Sequence, residues 1–158
     1  MQVRIRQTGA VIFYHEFREL HFGLGLPQDL NEEILNAWGA DIVFEGPQAT
    51  GGTVYQYSQR DGVEQLEGKW YSKYILGPVF TDGETTAAEQ EAAYKAMKDA
   101  EQAKSVRQTR NDKLAETDWR YRRDQTTTPE WDAYCQALRD VPTQAGFPWT
   151  IVWPTQPE

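Results

Sequence analysis

The sequence predicts an α+β protein: a small N-terminal antiparallel-sheet module with a helix, then a long alanine-rich helix, a short helix and an extended C-terminal tail rich in proline and tryptophan. Alternating apolar and polar residues, which are typical of strands, occur within residues 1–82. The 48 residues 83–130 contain only two of Leu, Ile, Val and Phe, namely Val106 and Leu114. Such a segment buries too little apolar area to fold alone. We therefore expect three regions, residues 1–82, 83–124 and 125–158.

The N-terminal module begins with strand signals and continues with helix signals. Residues 3–5 and 11–13 alternate apolar and polar side chains on either side of a Gln-Thr-Gly turn, which predicts a hairpin. A short helix is expected over residues 14–22. Apolar residues spaced i, i+4, i+5 and i+8 over residues 30–38 predict a second helix, which Gly39 ends.

The second half of this module has the pattern of strands separated by turns. A strand is expected at residues 42–44, followed by a loop. Residues 54–60 and 63–66 flank an Asp-Gly pair, which is the strongest two-residue hairpin signal in the chain. The aromatic segment 69–76 predicts a last strand, so the module is expected to contain an antiparallel sheet.

Helical sequence dominates from residue 84 to residue 123. Its apolar seam is narrow and made mostly of alanine, as in a coiled coil. The seam consists of Ala93, Met97, Ala100, Ala103 and Val106. Because such a seam buries little area but permits the close approach of another helix, we expect helix 84–123 to be poorly packed within its own monomer and open to self-association.

The C-terminal region contains one more helix signal, followed by prolines. Thr128, Pro129 and Glu130 have the order of an N-cap, a first-position proline and a first-turn acid. The helix that they begin is expected over residues 131–139 and is ended by Pro142. Further prolines predict that the rest of the tail is extended.

Composition and charge exclude several classes of function. With a net charge of −8 and a pI near 4.8, the chain lacks the basic face that non-specific nucleic-acid binding needs. No apolar run approaches the length of about 18 residues that a membrane span needs, and the N-terminus has no apolar secretory core. Cys135 is the single cysteine, and His15 and His21 have no metal-ligand spacing. We therefore expect no cofactor and no enzymatic activity.

Two charged features admit a functional and a structural interpretation. Asp118 and Asp124 are a candidate acid pair, but their spacing does not put them on one helical face. Arginines lie between them, so local ion pairing is favoured. The run from Arg120 to Arg123 is the only basic cluster, and the acidic net charge disfavours nucleic-acid binding there.

Aromatic residues are the most informative feature of the C-terminal part. The chain has six Trp, eight Tyr and six Phe residues, which is too many for a disordered chain. Near the C-terminus few aliphatic residues are present to cover them, so they either anchor a partner or pack on each other, and both interpretations stay open. The candidate partner-binding residues are Trp119, Trp131, Tyr134, Phe147, Trp149 and Trp153.

The order of residues in the last third of the chain forms a signature. It runs through Arg110-Asn111, Leu114, Thr117-Asp118-Trp119, Asp124, Trp131, Tyr134, Gln136–Asp140, Pro142 and Trp153-Pro154. Over residues 110–157 it resembles the C-terminal signature of tailed-phage tail assembly chaperones and tail fibre assembly proteins. Cys135 departs from this pattern, because arginine is usual between the tyrosine and the glutamine, and the departure removes a charge expected at the helix surface.

The resemblance implies a chaperone without enzymatic activity, which binds a trimeric phage tail fibre protein stoichiometrically and assists its folding and trimerisation. It implies action in the host cell cytoplasm during assembly. The alternative is a structural protein that remains on the tail fibre as a cap or adaptor and is found in the virion tail. An unrelated small enzyme is a third class, which no catalytic motif in the sequence supports.

Overall fold

The computed structural model of this protein describes residues 1–122 and 126–157. They form an α+β fold with a five-stranded sheet, one long helix and several shorter helices, which confirms the predicted class. The chain divides into two units, Met1–Val79 and Phe80–Glu158. Each unit has its own buried cluster.

The sequence predicts three regions, and it stays a prediction that each of them is a separate folding unit. Limited proteolysis is expected to leave a fragment that ends near residues 80–90 and is folded by circular dichroism. An unfolded fragment would contradict the prediction. A further expectation, the pairing of Asp124, lies outside the described residues.

The first unit is built on the five strands β1 (Gln2–Ile5), β2 (Val11–Phe13), β3 (Ala40–Phe44), β4 (Tyr57–Leu66) and β5 (Lys69–Gly77). They form one sheet in the order β2-β1-β3-β5-β4. Three of the four neighbouring pairs are antiparallel, but β3 and β5 are parallel, with Val43 opposite Trp70. The sheet is therefore mixed and not antiparallel as expected. Side-chain alternation, on which the prediction rested, is the same in both kinds of pair.

The hairpin predicted around the Asp-Gly pair at residues 61–62 is wrong. Strand β4 continues through this pair, and its register with β5 shifts between Arg60 and Val63, as in a β-bulge. The turn lies instead at Glu67 and Gly68, whose φ angles are 48° and 81°. Positive φ at both central residues is what a type I′ hairpin turn requires, whereas a single glycine with positive φ is common in bulges.

Two short helices, α1 (Tyr14–Leu20) and α2 (Glu32–Ala37), pack against the sheet. The predicted N-terminal hairpin before them is confirmed, since β1 and β2 pair along their length. The side chain of Asn31 accepts a hydrogen bond from the Ile34 N–H at 2.8 Å and caps α2. Gly39 follows the helix with a φ of 74°, as expected for the residue that ends it. The buried core consists of Val3, Phe17, Leu35 and Ala40.

The second unit begins with the long helix α3 (Ala87–Ala115), which spans 29 residues. Its first turn is held by a capping box: Thr86 Oγ1 accepts from the Glu89 N–H, and the Glu89 carboxylate accepts from the Thr86 N–H at 2.9 Å. The helix ends before the expected residue 123. A 3-10 helix at Asp118–Tyr121 follows it.

The second α-helix of this unit, α4 (Pro129–Asp140), begins with the predicted first-position proline. A second 3-10 helix, Val141–Thr143, follows directly and contains Pro142. The predicted helix over residues 131–139 is therefore confirmed, and it extends by one or two residues at each end.

The alanine seam of α3 is buried only at its C-terminal end. Ala103 and Val106 are each 6% exposed, whereas Met97 is 47% exposed. Ala93 and Ala100 are also exposed. The seam is therefore not one continuous buried stripe, and self-association through its exposed part stays a prediction.

The prolines predict that the whole C-terminal tail is extended, but only part of it is. A turn occupies residues 145–149, in which the Thr150 N–H donates to the Gly146 carbonyl at 2.7 Å. The side chain of Gln144 then holds the backbone of Val152 by two hydrogen bonds, of 2.8 and 2.9 Å. Residues 151–157 have no regular structure, which agrees with the expected extended end.

Candidate partner-binding surface

One face of α4 forms the buried core of the second unit. The core residues recur at helical spacing and are Trp131, Tyr134, Cys135 and Leu138. Leu114, near the end of α3, and Trp153, in the tail, pack against this cluster. Because aliphatic residues are scarce in this region, the large rings fill the space that branched aliphatic residues fill in most domains.

Two of the candidate partner-binding residues lie in this core. Trp131 is 4% exposed and Tyr134 is 6% exposed. Their rings contact each other edge to face, with centroids 5.7 Å apart and planes at 88°. The two residues are three positions apart and share one face of α4. This face packs inside the unit, so a partner could touch the rings directly only if the core opened.

The threonine of the Thr-Asp-Trp triplet connects the end of α3 to α4. Thr117 is 3% exposed, and its hydroxyl donates to the Leu114 carbonyl at 2.7 Å. The same hydroxyl oxygen lies 3.4 Å from the sulfur of Cys135. The Leu114 carbonyl also accepts a hydrogen bond from the backbone N–H of Thr117 at 2.9 Å, so both groups of Thr117 bind this carbonyl at the C-terminal end of α3.

Cys135 does not lie at the helix surface, where the signature had led us to expect a charge. It is fully buried. The reason is its spacing: it lies four residues after Trp131 and three before Leu138, on the apolar face of α4. At this position the thiol is a small packed group. Because the position is buried, having cysteine there instead of arginine takes no charge from the surface of the unit.

Trp119 is the most exposed of the six candidate residues. It lies in the 3-10 helix after α3 and is 47% exposed. The guanidinium of Arg120 lies 4.4 Å from the centroid of the Trp119 ring and 3.7 Å from that of Trp131, so the cation stacks on both rings. The Tyr121 hydroxyl donates to the Asp132 carboxylate at 3.1 Å and attaches the 3-10 helix to α4. The exposed indole therefore sits on a segment that several contacts hold in place.

A pocket of about 390 Å³ lies beside Trp119 and Arg120. Within the described part of the chain, the side chain of Arg120 makes no ion pair and no hydrogen bond. The pocket thus combines indole surface, hydroxyl groups and a guanidinium that has no acceptor among the described residues. Its lining consists of Trp119, Arg120, Thr126–Thr128, Glu130, Trp131 and Pro157.

The three candidate residues of the tail, Phe147, Trp149 and Trp153, are each half-buried. The indole N–H of Trp149 donates to the Asp99 carboxylate of α3 at 2.5 Å. The Trp153 ring packs on the core cluster and lies 5.8 Å from the Lys113 ammonium. The tail is therefore held against α3, and its three aromatic side chains are each partly accessible to solvent.

Two searches of the described residues bear on other kinds of site. Among residues 1–122 and 126–157, no group of three or more His, Cys, Asp or Glu could hold a metal ion. No helix in these ranges is long and apolar enough to cross a membrane.

Comparison with known proteins supports a particular class of function. Residues 103–158 match a family model described as "Phage tail assembly chaperone protein". The match begins within α3 and includes α4 and the tail, and it confirms the resemblance found over residues 110–157. It supports a tail assembly chaperone role, and the matched family is one of assembly chaperones and not of enzymes. No curated protein and no solved structure matches the chain.

Sequence reasoning missed the role of Arg120. The run of arginines after Trp119 predicts local ion pairs, whereas the guanidinium of Arg120 lies over two indole rings. A signal for this was present, because Trp119 and Tyr121 flank the arginine and guanidinium groups stack readily on aromatic rings. The second indole, Trp131, is 11 positions further on and could not be linked to Arg120 without the fold.

Proposed function

We propose that this protein is a tail fibre assembly chaperone. It binds the phage tail fibre protein stoichiometrically and assists the folding and trimerisation of that protein in the host cell cytoplasm. The observation that carries the proposal is the family match over residues 103–158. Unit Phe80–Glu158, which contains the matched residues, is taken as the part that contacts the fibre protein.

The proposed contact surface is centred on Trp119. An indole that is 47% exposed offers apolar area together with a polar N–H, which is the combination found most often at the energetic centres of interfaces. Its segment is held by Arg120 and Tyr121, so little conformational entropy would be lost on binding. The accessible parts of Phe147, Trp149 and Trp153 are proposed as a second part of the surface.

Trp131 and Tyr134 contribute to this surface indirectly. They form the core that positions α4, and the Trp131 ring supports the guanidinium of Arg120 from the inner side. Loss of either ring would therefore weaken partner binding through loss of structure, which a stability measurement detects. This separates their proposed role from that of Trp119.

A surface of this kind suits a fibre protein before its trimer is complete. Apolar surface and unpaired strand edges that are exposed during assembly promote aggregation, and a bound chaperone covers them. Binding one state of the partner also stabilises that state by mass action, without any chemical step.

Co-expression with the phage's tail fibre protein tests the proposal. We expect soluble, SDS-resistant fibre trimers only when both proteins are present. Trp119→Ala should reduce their yield. Phe22→Ala serves as the matched control, because Phe22 is an aromatic residue of the first unit that is 91% exposed. An equal yield of trimers without this protein would contradict the proposed function.

The composition of finished virions distinguishes a chaperone from a structural cap or adaptor. A chaperone that dissociates after assembly is absent from purified virions. A cap would be present in a fixed ratio to the fibre protein. Quantitative mass spectrometry of the virion proteins measures this ratio.

A further inference from the structure

Arg120 differs from Arg4 and Arg6 of the first unit in its partners. Arg6 contacts the Asp41 carboxylate at 2.6 Å, and Arg4 lies 3.7 Å from the same residue. Arg120 has no carboxylate partner in the described part of the chain, although the protein carries a net charge of −8. A half-buried guanidinium without an acceptor among residues 1–122 and 126–157 has N–H groups that an acceptor on a partner can bind.

The stacking of Arg120 limits what can bind it. The face of a guanidinium is apolar enough to lie on an indole ring, and that of Arg120 lies over the rings of Trp119 and Trp131. Its five N–H groups lie in the plane of the group and remain available at its edge. Two parallel N–H groups of this kind match the two oxygens of a carboxylate.

We propose that the pocket beside Trp119 binds the carboxylate of an aspartate or glutamate side chain of the tail protein. The proposal rests on the proposed function for the identity of the partner and on the pocket for the chemistry. At about 390 Å³, the pocket is larger than a carboxylate group. The indole rings and Pro157 form an apolar wall in it, so the acidic residue of the partner is expected to lie next to an apolar or aromatic residue that contacts this wall.

Glu130 opposes this binding and provides a sharp test of it. Its carboxylate is in the lining of the same pocket, and two like charges at short distance repel each other. If the ligand is a carboxylate, Glu130→Gln removes the repulsion and increases the affinity. If the ligand is neutral, the same substitution has little effect, because glutamine retains the size and the polarity of the side chain.

A peptide titration tests the chemistry with the full-length protein. The probes are N-acetyl-Phe-Glu-amide and N-acetyl-Phe-Gln-amide, which differ only in the charged group. Binding is followed by the NMR signals of the ¹⁵N-labelled indole groups of Trp119 and Trp131. We expect saturable shifts with the glutamate peptide, affinity about tenfold lower for the glutamine peptide, and weaker binding at high salt. Equal binding of the two peptides, or no shift with either, would overturn the inference.

Variants of the two charged residues identify the group that binds. Arg120→Gln should abolish the preference for the glutamate peptide, and Glu130→Gln should increase it. Arg120→Lys keeps the charge but cannot form two parallel bonds, so it should give intermediate affinity. Thermal unfolding is measured for each variant. If Arg120→Gln does not fold, the opposite effects of Arg120→Lys and Glu130→Gln still decide the outcome, and unchanged affinity in both would overturn the inference.

Co-expression with the fibre protein separates the failure of this inference from the failure of the proposed function. If the unmodified protein promotes fibre trimers and folded Arg120→Gln does so equally well, the pocket does not bind the fibre protein and the inference is overturned, while the proposed function stands. If the unmodified protein promotes fibre trimers and folded Arg120→Gln does not, both the inference and the proposed function are supported. If the unmodified protein has no effect on the fibre protein, the proposed function fails and the tail protein is overturned as the source of the carboxylate.

Discussion

The two units bury their cores with different residue types. In Met1–Val79 the core forms from side chains of the neighbouring strands β1 and β3 and of two short helices, and its members are mostly aliphatic. In Phe80–Glu158 the core forms from one face of α4, and two of its four buried members are Trp131 and Tyr134. Aromatic residues therefore form a larger part of the core in the second unit, because that unit has few aliphatic residues to fill its interior.

This difference changes how the family signature should be interpreted. Several of its residues, including Thr117, Trp131 and Leu138, are buried and hold the second unit together. Others, such as Asp118 and Trp119, are exposed. A signature of this kind specifies the fold first, and only its exposed part can contact a partner in the folded state.

The largest expected effect comes from removing a core ring of the second unit. Trp131→Ala should destabilise this unit by about 3–5 kcal/mol, through lost apolar burial and the cavity left behind. Leu35→Ala, at a fully buried position of the first unit, should cost about 2–5 kcal/mol there. Denaturant unfolding followed by NMR signals of each unit measures both.

The pattern across the two variants tests whether the units are separate in stability. We expect each substitution to lower the stability of its own unit and to leave the other unit folded. Loss of both units in either variant would show that they unfold together, and it would remove the basis for comparing their cores.

The sequence predicted the elements better than it predicted their neighbours. The N-terminal hairpin, the helix that Asn31 caps and the helix that begins at Pro129 depend on nearby residues, and all three are present. The parallel pairing of β3 with β5 depends on where β4 lies in the sheet, which no local pattern encodes. The hairpin predicted at the Asp-Gly pair, residues 61–62, is absent because a β-bulge and a turn use the same residue types.

The candidate site shows the same limit. Sequence spacing placed Trp131 and Tyr134 on one helical face, but it could not tell whether that face meets the core or a partner. Burial decides this, and burial depends on Leu114 and Trp153, which are distant in sequence from each other. The stacking of Arg120 on Trp131 was hidden for the same reason.

A smaller effect, confined to binding, is expected for Trp119→Ala. Truncation of an interface tryptophan costs roughly 2 kcal/mol, or about thirtyfold in affinity. The midpoint of thermal unfolding should change little, because the side chain is 47% exposed. Affinity for the fibre protein and the midpoint are measured on the same preparation. A lower midpoint with unchanged affinity would mean that Trp119 belongs functionally with Trp131.

A third prediction concerns Thr117, whose hydroxyl bonds to the Leu114 carbonyl inside the unit. Thr117→Val keeps the shape of the side chain but removes the hydroxyl, and it should destabilise the second unit by about 1 kcal/mol. Thr117→Ser retains the hydroxyl and should cost less than Thr117→Val. Chemical denaturation provides the measurement, and the reverse order of the two variants would show that the methyl group, rather than the hydrogen bond, is the stabilising part.

The smallest expected effect distinguishes the helix N-termini of the two units by pH. Hydrogen bonds from the backbone N–H and then the hydroxyl of Thr86 lower the pKa of Glu89 below its ordinary value. A carboxylate whose pKa is lower in the folded state stabilises that state above its unfolded pKa, and this stabilisation is lost as the pH falls through the folded pKa. Helix α2 is capped by the neutral side chain of Asn31, which does not titrate. Acid should therefore increase amide hydrogen exchange, corrected for its intrinsic pH dependence, in the first turn of α3 more than in that of α2. Glu89→Gln retains the capping geometry without the charge and should remove this difference, and an unchanged difference in that variant would show that another group causes it.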